Sequence, residues 1–386
     1  MKPAEPAALL LISGGGRALP PIGTPVSRLP TPCLLLDHEV LMANLRSMQD
    51  FVSARGKTLR AHAKTHKCSR LAALQCGLGA SGICAAKVSE AHGLIANGIR
   101  NVLLTGPAVT PLAHEALLEC AEADPGFIAT LDNMENASRL SSLFHDHGRR
   151  LRCLIDLDLQ FGRTGIPADR LADFFEALRA LPGLEVLGLQ AYAGHIQHIA
   201  GYEQRRDANR VCLDIAAAAR AFLRERGLSS PILSVGGTGS FDFDTAHPEV
   251  TEIQAGSYAL MDAEYFQIGG KNRPRFEDFA PALSLLTTVV SANQPGFVTV
   301  DAGLKALYRD GATPEVCRLG LAYDWFGDEY GKVYSPSSAP LPALGEQLRL
   351  IVSHCDPTVN LFDRFFVIQD DHVSDIWPID LRGRSQ

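Results

Sequence analysis

Apolar residues in this chain fall into short runs followed by longer stretches at helical spacing, and the alternation repeats. From Pro32, the strand-like run Cys33-Leu34-Leu35-Leu36 precedes a helical stretch from His38 to about Ala54, with Val40, Leu41, Leu45, Met48 and Val52 near one face. Thr58 to Ala61 then precedes a helix around 69–77, and Gly82 to Ala85 a helix at 87–97. Val102 to Thr105 leads into a helix at 110–122, Phe127 to Leu131 into one at 133–146, and Leu151 to Leu157 into one at 168–180. Val186 to Tyr192 precedes a long helix at about 202–226, and Pro231 to Val235 runs into a glycine cluster. That makes eight strand–helix units, with a ninth strand-like piece from Val250 to Ala255. Repeated βα units with short connections predict a parallel sheet, and eight in succession favour a (β/α)8 barrel over an open sheet.

The pattern changes after about residue 275. Leu283 to Ser291, Phe297 to Asp301, Gln347 to Ser353, Phe365 to Gln369 and His372 to Ile379 read as β segments with no helices between them. The expected organisation is an extended Pro/Gly-rich lead-in over 1–30, a barrel over 31–278 and a β domain over 279–386. The N-terminal segment is free to add a strand to that β domain.

Composition narrows the function classes. A net charge of −7 gives no basic face for nucleic acid. With 46% hydrophobic and 20% charged residues, the 386-residue chain can bury a sizeable core. The nine cysteines are odd in number and form no CxxC pair, a pattern suited to reduced thiols in a cytoplasm. The apolar stretch Ala7 to Ile12 is short and flanked by Glu5, so it does not read as a signal peptide. No run has the length of a membrane span.

Barrel enzymes carry their chemistry where strands end, and several polar clusters fall there. Lys64, in Arg60-Ala61-His62-Ala63-Lys64-Thr65-His66-Lys67, follows the second strand. It is either a solvated basic turn or an amine whose pKa neighbouring cations and burial should lower. A neutral lysine amine forms Schiff bases with carbonyl compounds such as pyridoxal phosphate. Arg163, framed by Gly162 and Gly165, suits an anionic oxygen. Tyr192 is core or site, and His195 and His198 follow it. The loop Gly236-Gly237-Thr238-Gly239-Ser240 and the pair Gly256-Ser257, followed by Tyr258, read either as tight turns or as a phosphate cradle. In a cradle, backbone N–H groups and the Thr238 and Ser257 hydroxyls would face the oxygens. Farther on, His354 and Asp356 would project from one face of an extended segment, with Cys355 turned away. They make either a hydrogen-bonded pair or two ligands of a hard divalent metal such as Mn²⁺ or Mg²⁺.

These motifs coincide in order with a known family. HAKTHK at 62–67, KVSEA at 87–91, GLQAY at 188–192, GGTGS at 236–240, QAGSY at 254–258, Met261-Asp262, DAGLK at 301–305 and HCDPTVN at 354–360 together resemble the D-threonine aldolase and 3-hydroxy-D-aspartate aldolase family. The resemblance implies an alanine-racemase-type barrel followed by a β domain, usually dimeric, acting on a small amino acid with pyridoxal phosphate and a divalent metal. Lys64 matches the cofactor lysine. Arg163, Tyr192, Gly237, Thr238, Gly256, Ser257 and Tyr258 match positions lining the cofactor, and Gly239 completes the glycine loop. His354 and Asp356 match the metal pair, and His198 matches a histidine near the substrate, a general base or proton relay. The implied reaction cleaves D-configured β-hydroxy-α-amino acids to glycine and an aldehyde. Related D-serine dehydratases carry a HisXxxCys pair, so a dehydratase releasing ammonia is the alternative, and a non-catalytic carrier of the cofactor a remoter one. Three stretches depart from the family: Arg60-Ala61-His62 where it often has Arg-Pro-His, Gly162-Arg163-Thr164-Gly165 for GRCG, and Asp328-Glu329-Tyr330-Gly331 for DEHG.

Overall fold

A computed structural model describes residues 19–229, 231–309 and 311–386. Most of the N-terminal lead-in, including Ala7 to Ile12, lies outside the described residues. Strand β1 (Cys33–Asp37) is followed by eight parallel strands that close a barrel. These are β2 (Thr58–His62), β3 (Gly82–Ala85), β4 (Val102–Leu104), β5 (Ile128–Leu131), β6 (Leu151–Asp156), β7 (Leu184–Ala191), β8 (Ile232–Val235) and β9 (Glu252–Ile253). The ring closes where Thr58 and Leu59 pair with Glu252 and Ile253. The barrel expected from the sequence is therefore present, but its eight strands are the second to ninth of the strand-like runs.

The first run belongs elsewhere. Strand β1 pairs antiparallel with β10 (Leu283–Ser291) and parallel with β16 (Arg364–Gln369). Its leucines 34–36 are fully buried, and a short apolar run fits a barrel or a sheet core equally well until its partners are known. The sheet it joins also contains β11 (Phe297–Val300), β12 (Glu315–Val316), β13 (Ala322–Trp325), β14 (Gly331–Tyr334), β15 (Gln347–Ile351) and β17 (His372–Pro378). Strands β12 to β14 were not expected from the sequence; they lie in the stretch 315–334, where the apolar residues form no long run.

The helices are α1 (His38–Ser53), α2 (Ser69–Gly77), α3 (Val88–Ala96), α4 (Pro111–Ala123), α5 (Met134–Asp146), α6 (Leu171–Arg179), α7 (Tyr202–Glu225), α8 (Phe241–Ala246), α9 (Ala263–Phe266) and α10 (Cys355–Val359). Their starts follow local chemistry. Asp37 caps α1 by accepting from Val40 N at 3.0 Å, and Asn133 caps α5 by accepting from Asn136 N at 3.0 Å. Thr110 caps α4, with Pro111 at its first position. Among the described residues no helix is long and apolar enough to cross a membrane.

Candidate active site

Strand β2 ends at His62, and the next three residues turn in a 3-10 helix that carries Lys64 into the mouth of the barrel. The Nδ1 of His62 accepts the Lys64 N–H at 3.3 Å, and its Nε2 lies 3.3 Å from Thr105 Oγ1. Since Nδ1 accepts, Nε2 carries the proton and donates to Thr105, which itself donates to Ala85 O at 3.1 Å. Burial, followed by the neighbouring Lys64 charge, holds the His62 pKa well below its usual value, so this imidazole stays neutral.

Lys64 borders a cavity of about 310 Å³ that also touches Arg163, Tyr192, Gly237, Thr238, Gly256 and Ser257. Seven sequence-singled residues thus meet in one place. His62, Thr105, Thr164, Gln190, Gln254 and Tyr265 line the same space and were not singled out. Gln190 Nε2 donates to Asp156 Oδ1 at 2.9 Å and Gln254 Nε2 to Gln190 Oε1 at 3.2 Å, forming a polar floor inside the barrel. Only the topology brings those glutamines together. The Tyr258 ring lies elsewhere: it is fully buried, its hydroxyl accepts from Gln75 Nε2 at 3.0 Å, and its backbone N–H donates to Thr238 Oγ1 at 2.9 Å. His195 sits apart as well, against Phe161 and Cys212.

The expected fall in the Lys64 pKa is overturned. Burial does pull it down, but Asp356 Oδ2 stands 3.5 Å from Nζ and, with Tyr192, raises it above its ordinary value. The cations of the local sequence are outweighed by a carboxylate arriving from the far end of the chain. Asp356 is affected in turn: burial would raise its pKa, yet Lys64 and His354 hold it at about 2.

His354 is extended, but Asp356 is not its strand neighbour. The chain enters α10 at Cys355, with Pro357 in the first turn, where a missing N–H costs nothing. Cys355 does turn away, its thiol donating to Met261 O at 3.2 Å. The His354 pKa rises to about 9, because the hydrogen bond to Asp262 and the charges of Asp356, Asp262 and Glu264 outweigh burial. His198 stands beside it, ring centroids 6.2 Å apart, and burial followed by His354 lowers its pKa. Tyr330 lies on the β13–β14 hairpin with 49% of its surface exposed.

The residues present fit a phosphorylated aldehyde cofactor. Gly236 adopts φ +84°, a backbone that only glycine takes freely, and it opens the loop. A Cβ at Gly237 would come within 2.5 Å of Gln197 Oε1, and one at Gly256 within 2.8 Å of Thr65 Oγ1, so neither position has room for a side chain. A metal fits as well: Asp356 Oδ1 is buried without a hydrogen-bond partner, and the His354 imidazole is close enough to act on its charge. Among the described residues, no three His, Cys, Asp or Glu side chains converge as a closed metal cage.

Comparison with known proteins agrees in sequence and in shape. The family model "Alanine racemase, N-terminal domain" matches residues 36–264, and "Putative serine dehydratase domain" matches 282–368. A D-threonine aldolase of Arthrobacter sp. is 40% identical, covering 96% of this chain and 98% of its own. A 3-hydroxy-D-aspartate aldolase of Paracoccus denitrificans is 34% identical over 95% of each. The crystal structure of D-threonine aldolase from Filomicrobium marinum superposes with a TM-score of 0.90 at 34% identity, covering 96% of this chain and all of the other. Relatives named as dehydratases stand further off, at 27% identity or less. With sequence and overall fold matched across nearly its whole length, this chain belongs to the D-threonine aldolase and 3-hydroxy-D-aspartate aldolase family of the alanine-racemase fold.

Proposed function

We propose that this protein is a pyridoxal-phosphate-dependent lyase that cleaves D-configured β-hydroxy-α-amino acids, of the D-threonine or 3-hydroxy-D-aspartate type, to glycine and an aldehyde. The observation that supports the reading is the 3.5 Å approach of Lys64 Nζ to Asp356 Oδ2, which would put a cofactor lysine and a metal pair within reach of one substrate. Bound there, pyridoxal phosphate supplies an electron sink for the charge left on Cα, and a hard divalent metal supplies a Lewis acid for the β-oxygen.

The chain's own groups do the rest. Lys64, after releasing the proton that Asp356 helps it hold, would offer the amine for the cofactor carbonyl. The Thr238 and Ser257 hydroxyls, with the backbone of Gly237 and Gly256, would hold the phosphate, and Arg163 and Tyr192 would flank the ring. The N–H of Gly239 is already engaged by Gln197 Oε1 at 3.0 Å, so its part is to keep the loop in shape. Tyr258 contributes through its backbone bond to Thr238 rather than through its ring. His354 and Asp356 would hold the metal. One imidazole and one carboxylate suit Mn²⁺ or Mg²⁺, whereas a thiolate in place of Asp356 would favour a softer ion.

His198, kept neutral near pH 7 by its lowered pKa, accepts the proton of the substrate β-hydroxyl. As the β-oxygen gives up that proton, the C–O double bond of the aldehyde forms and the Cα–Cβ bond breaks. Cα retains the electron pair and takes up a proton to leave glycine.

A homodimer would cover apolar side chains that the C-terminal sheet region exposes, Phe326, Leu344 and Leu361 among them. Nine cysteines without a disulfide among them suit the cytoplasm. The deciding assay supplies purified protein with D-threonine, D-phenylserine or 3-hydroxy-D-aspartate and scores glycine against ammonia. Glycine release that chelation abolishes and Mn²⁺ restores is expected; ammonia with a keto acid would identify a dehydratase instead.

A further inference from the structure

Beside the metal pair lie two carboxylates that the reading above does not use. Asp262 is fully buried at the start of α9, and its Oδ1 accepts the Tyr265 N–H at 3.0 Å. Its Oδ2 accepts the Cys355 N–H at 2.9 Å and faces His354 Nδ1 at 3.0 Å. Glu264 Oε2 faces the same Nδ1 at 3.2 Å, while its Oε1 stands 3.8 Å from His198 Nδ1. The two stretches are also stitched through their backbones, Ala263 N to Val352 O at 3.0 Å and Glu264 N to Ser353 O at 3.1 Å. Neither carboxylate is held by a flexible loop.

An ionised carboxylate only accepts hydrogen bonds, so Nδ1 of His354 must carry the proton. That leaves Nε2, once it has released its own proton, as the one atom of this imidazole that can bind a metal. A metal-ligating histidine fixed through its other nitrogen by a carboxylate gains both orientation and basicity. Glu264 reaches further than Asp262: its other oxygen stands within charge range of His198, though beyond hydrogen-bond distance.

We propose that Asp262 and Glu264 are positioning residues, which together fix the tautomer and tilt of His354 for the metal, and that the nearby carboxylate of Glu264 also steadies His198 through its charge. This inference rests on the reading of His354 and Asp356 as metal ligands.

The test uses cofactor-loaded protein stripped of metal by chelation, with Mn²⁺ titrated by equilibrium dialysis and elemental analysis. Asp262→Asn and Glu264→Gln are each expected to weaken Mn²⁺ binding by about 10- to 100-fold, the range for lost outer partners of a metal histidine. The visible absorbance of the bound cofactor should stay unchanged in both. At saturating Mn²⁺, Asp262→Asn should recover the wild-type kcat and KM. Glu264→Gln should keep a lowered kcat, and Glu264→Asp should restore part of it. Asn at a buried position that accepts three donors risks misfolding, but Glu264 is 24% exposed, so its variants decide the question alone if Asp262→Asn does not fold. Wild-type protein that binds Mn²⁺ while Glu264→Gln binds it equally well would overturn the inference. Full recovery of Glu264→Gln at saturating metal would overturn its His198 part. Wild-type protein that binds no Mn²⁺ would instead overturn the metal reading beneath it.

Discussion

At the residue scale, charge in this site is set by partners remote in sequence. Lys64 announces itself through its histidine-rich neighbourhood, yet the sign of its pKa shift depends on Asp356, which no local pattern connects to it. Asp244 makes the same point more sharply. It is an ordinary acidic residue in Phe241-Asp242-Phe243-Asp244, but the fold buries it beneath the glycine loop, where Ser240 Oγ approaches its Oδ2 at 2.6 Å and Asn209 Nδ2 its Oδ1 at 2.9 Å. Burial raises its pKa from 3.8 to about 7. Between those values the folded state holds a proton that the unfolded state has released. By linkage, this group's contribution to stability is greatest at the acid end of the window and falls as pH rises through about 7. Asn mimics the protonated acid at both bonds. Asp244→Asn should therefore lose less stability than wild type on going from pH 5 to pH 8, as read from urea midpoints at the two values. Equal losses in both proteins would show that Asp244 ionises freely in the folded state.

At the scale of elements, the strand-to-loop rhythm was legible, and the supports of the loops were not. GGTGS stands out in the sequence because three glycines follow a strand. What holds it is Gln197, whose Nε2 donates to Ser240 Oγ at 2.9 Å and whose Oε1 accepts from Gly239 N, together with Arg205. Arg205 donates to the carbonyls of Gly239, Ile199, Ile268 and Gly269 at 2.7 to 2.8 Å, tying the loop to the His198 turn and to the chain beyond α9. Glutamine next to histidine and arginine on a long helix carry no signal of that kind. The short helix α10 escaped for a similar reason: it has no local side-chain cap, and its first N–H is met by Asp262 from a distant stretch, so the sequence reads there as extended. The tightest point is Gly239, where a Cβ would fall 2.2 Å from Gln197 O, a backbone atom with nowhere to go. Overpacking of this kind costs about 1–3 kcal/mol, which, felt by the loop, is roughly a tenfold or greater weakening of cofactor binding. Gly239→Ala should show that loss in a titration of apo-protein with pyridoxal phosphate. Gly77→Ala, at the end of α2 with nothing within 4 Å, should leave binding unchanged.

At the scale of the whole molecule, the two ends of the described chain lock the barrel to the sheet. Strand β1 leaves the barrel sequence to sit between β10 and β16, so it is the strand that joins the two halves of the sheet. The C-terminal tail makes the reverse journey. Ser69 N donates to Asp380 Oδ1 at 2.8 Å, Leu381 N to Lys67 O at 3.0 Å and Ser89 N to Gln386 O at 3.1 Å, so the tail lies over the starts of α2 and α3. Leu381 is fully buried, and its Cδ2 lies so close to Gly93 that a Cβ there would fall within 2.6 Å of it. Lys67, which receives this bond, is three residues beyond Lys64 and pairs its ammonium with the buried Glu90. The tail thus braces the segment that carries Lys64 into the barrel mouth. Leu381→Ala removes a buried side chain whose site cannot collapse around a glycine, and should cost about 2–5 kcal/mol. Because the tail, α2, α3 and the sheet share these contacts, the loss should move the midpoint of one cooperative transition in chemical denaturation. A wild-type midpoint with protease cleavage confined to the last residues would mean instead that the tail opens by itself, independent of the barrel.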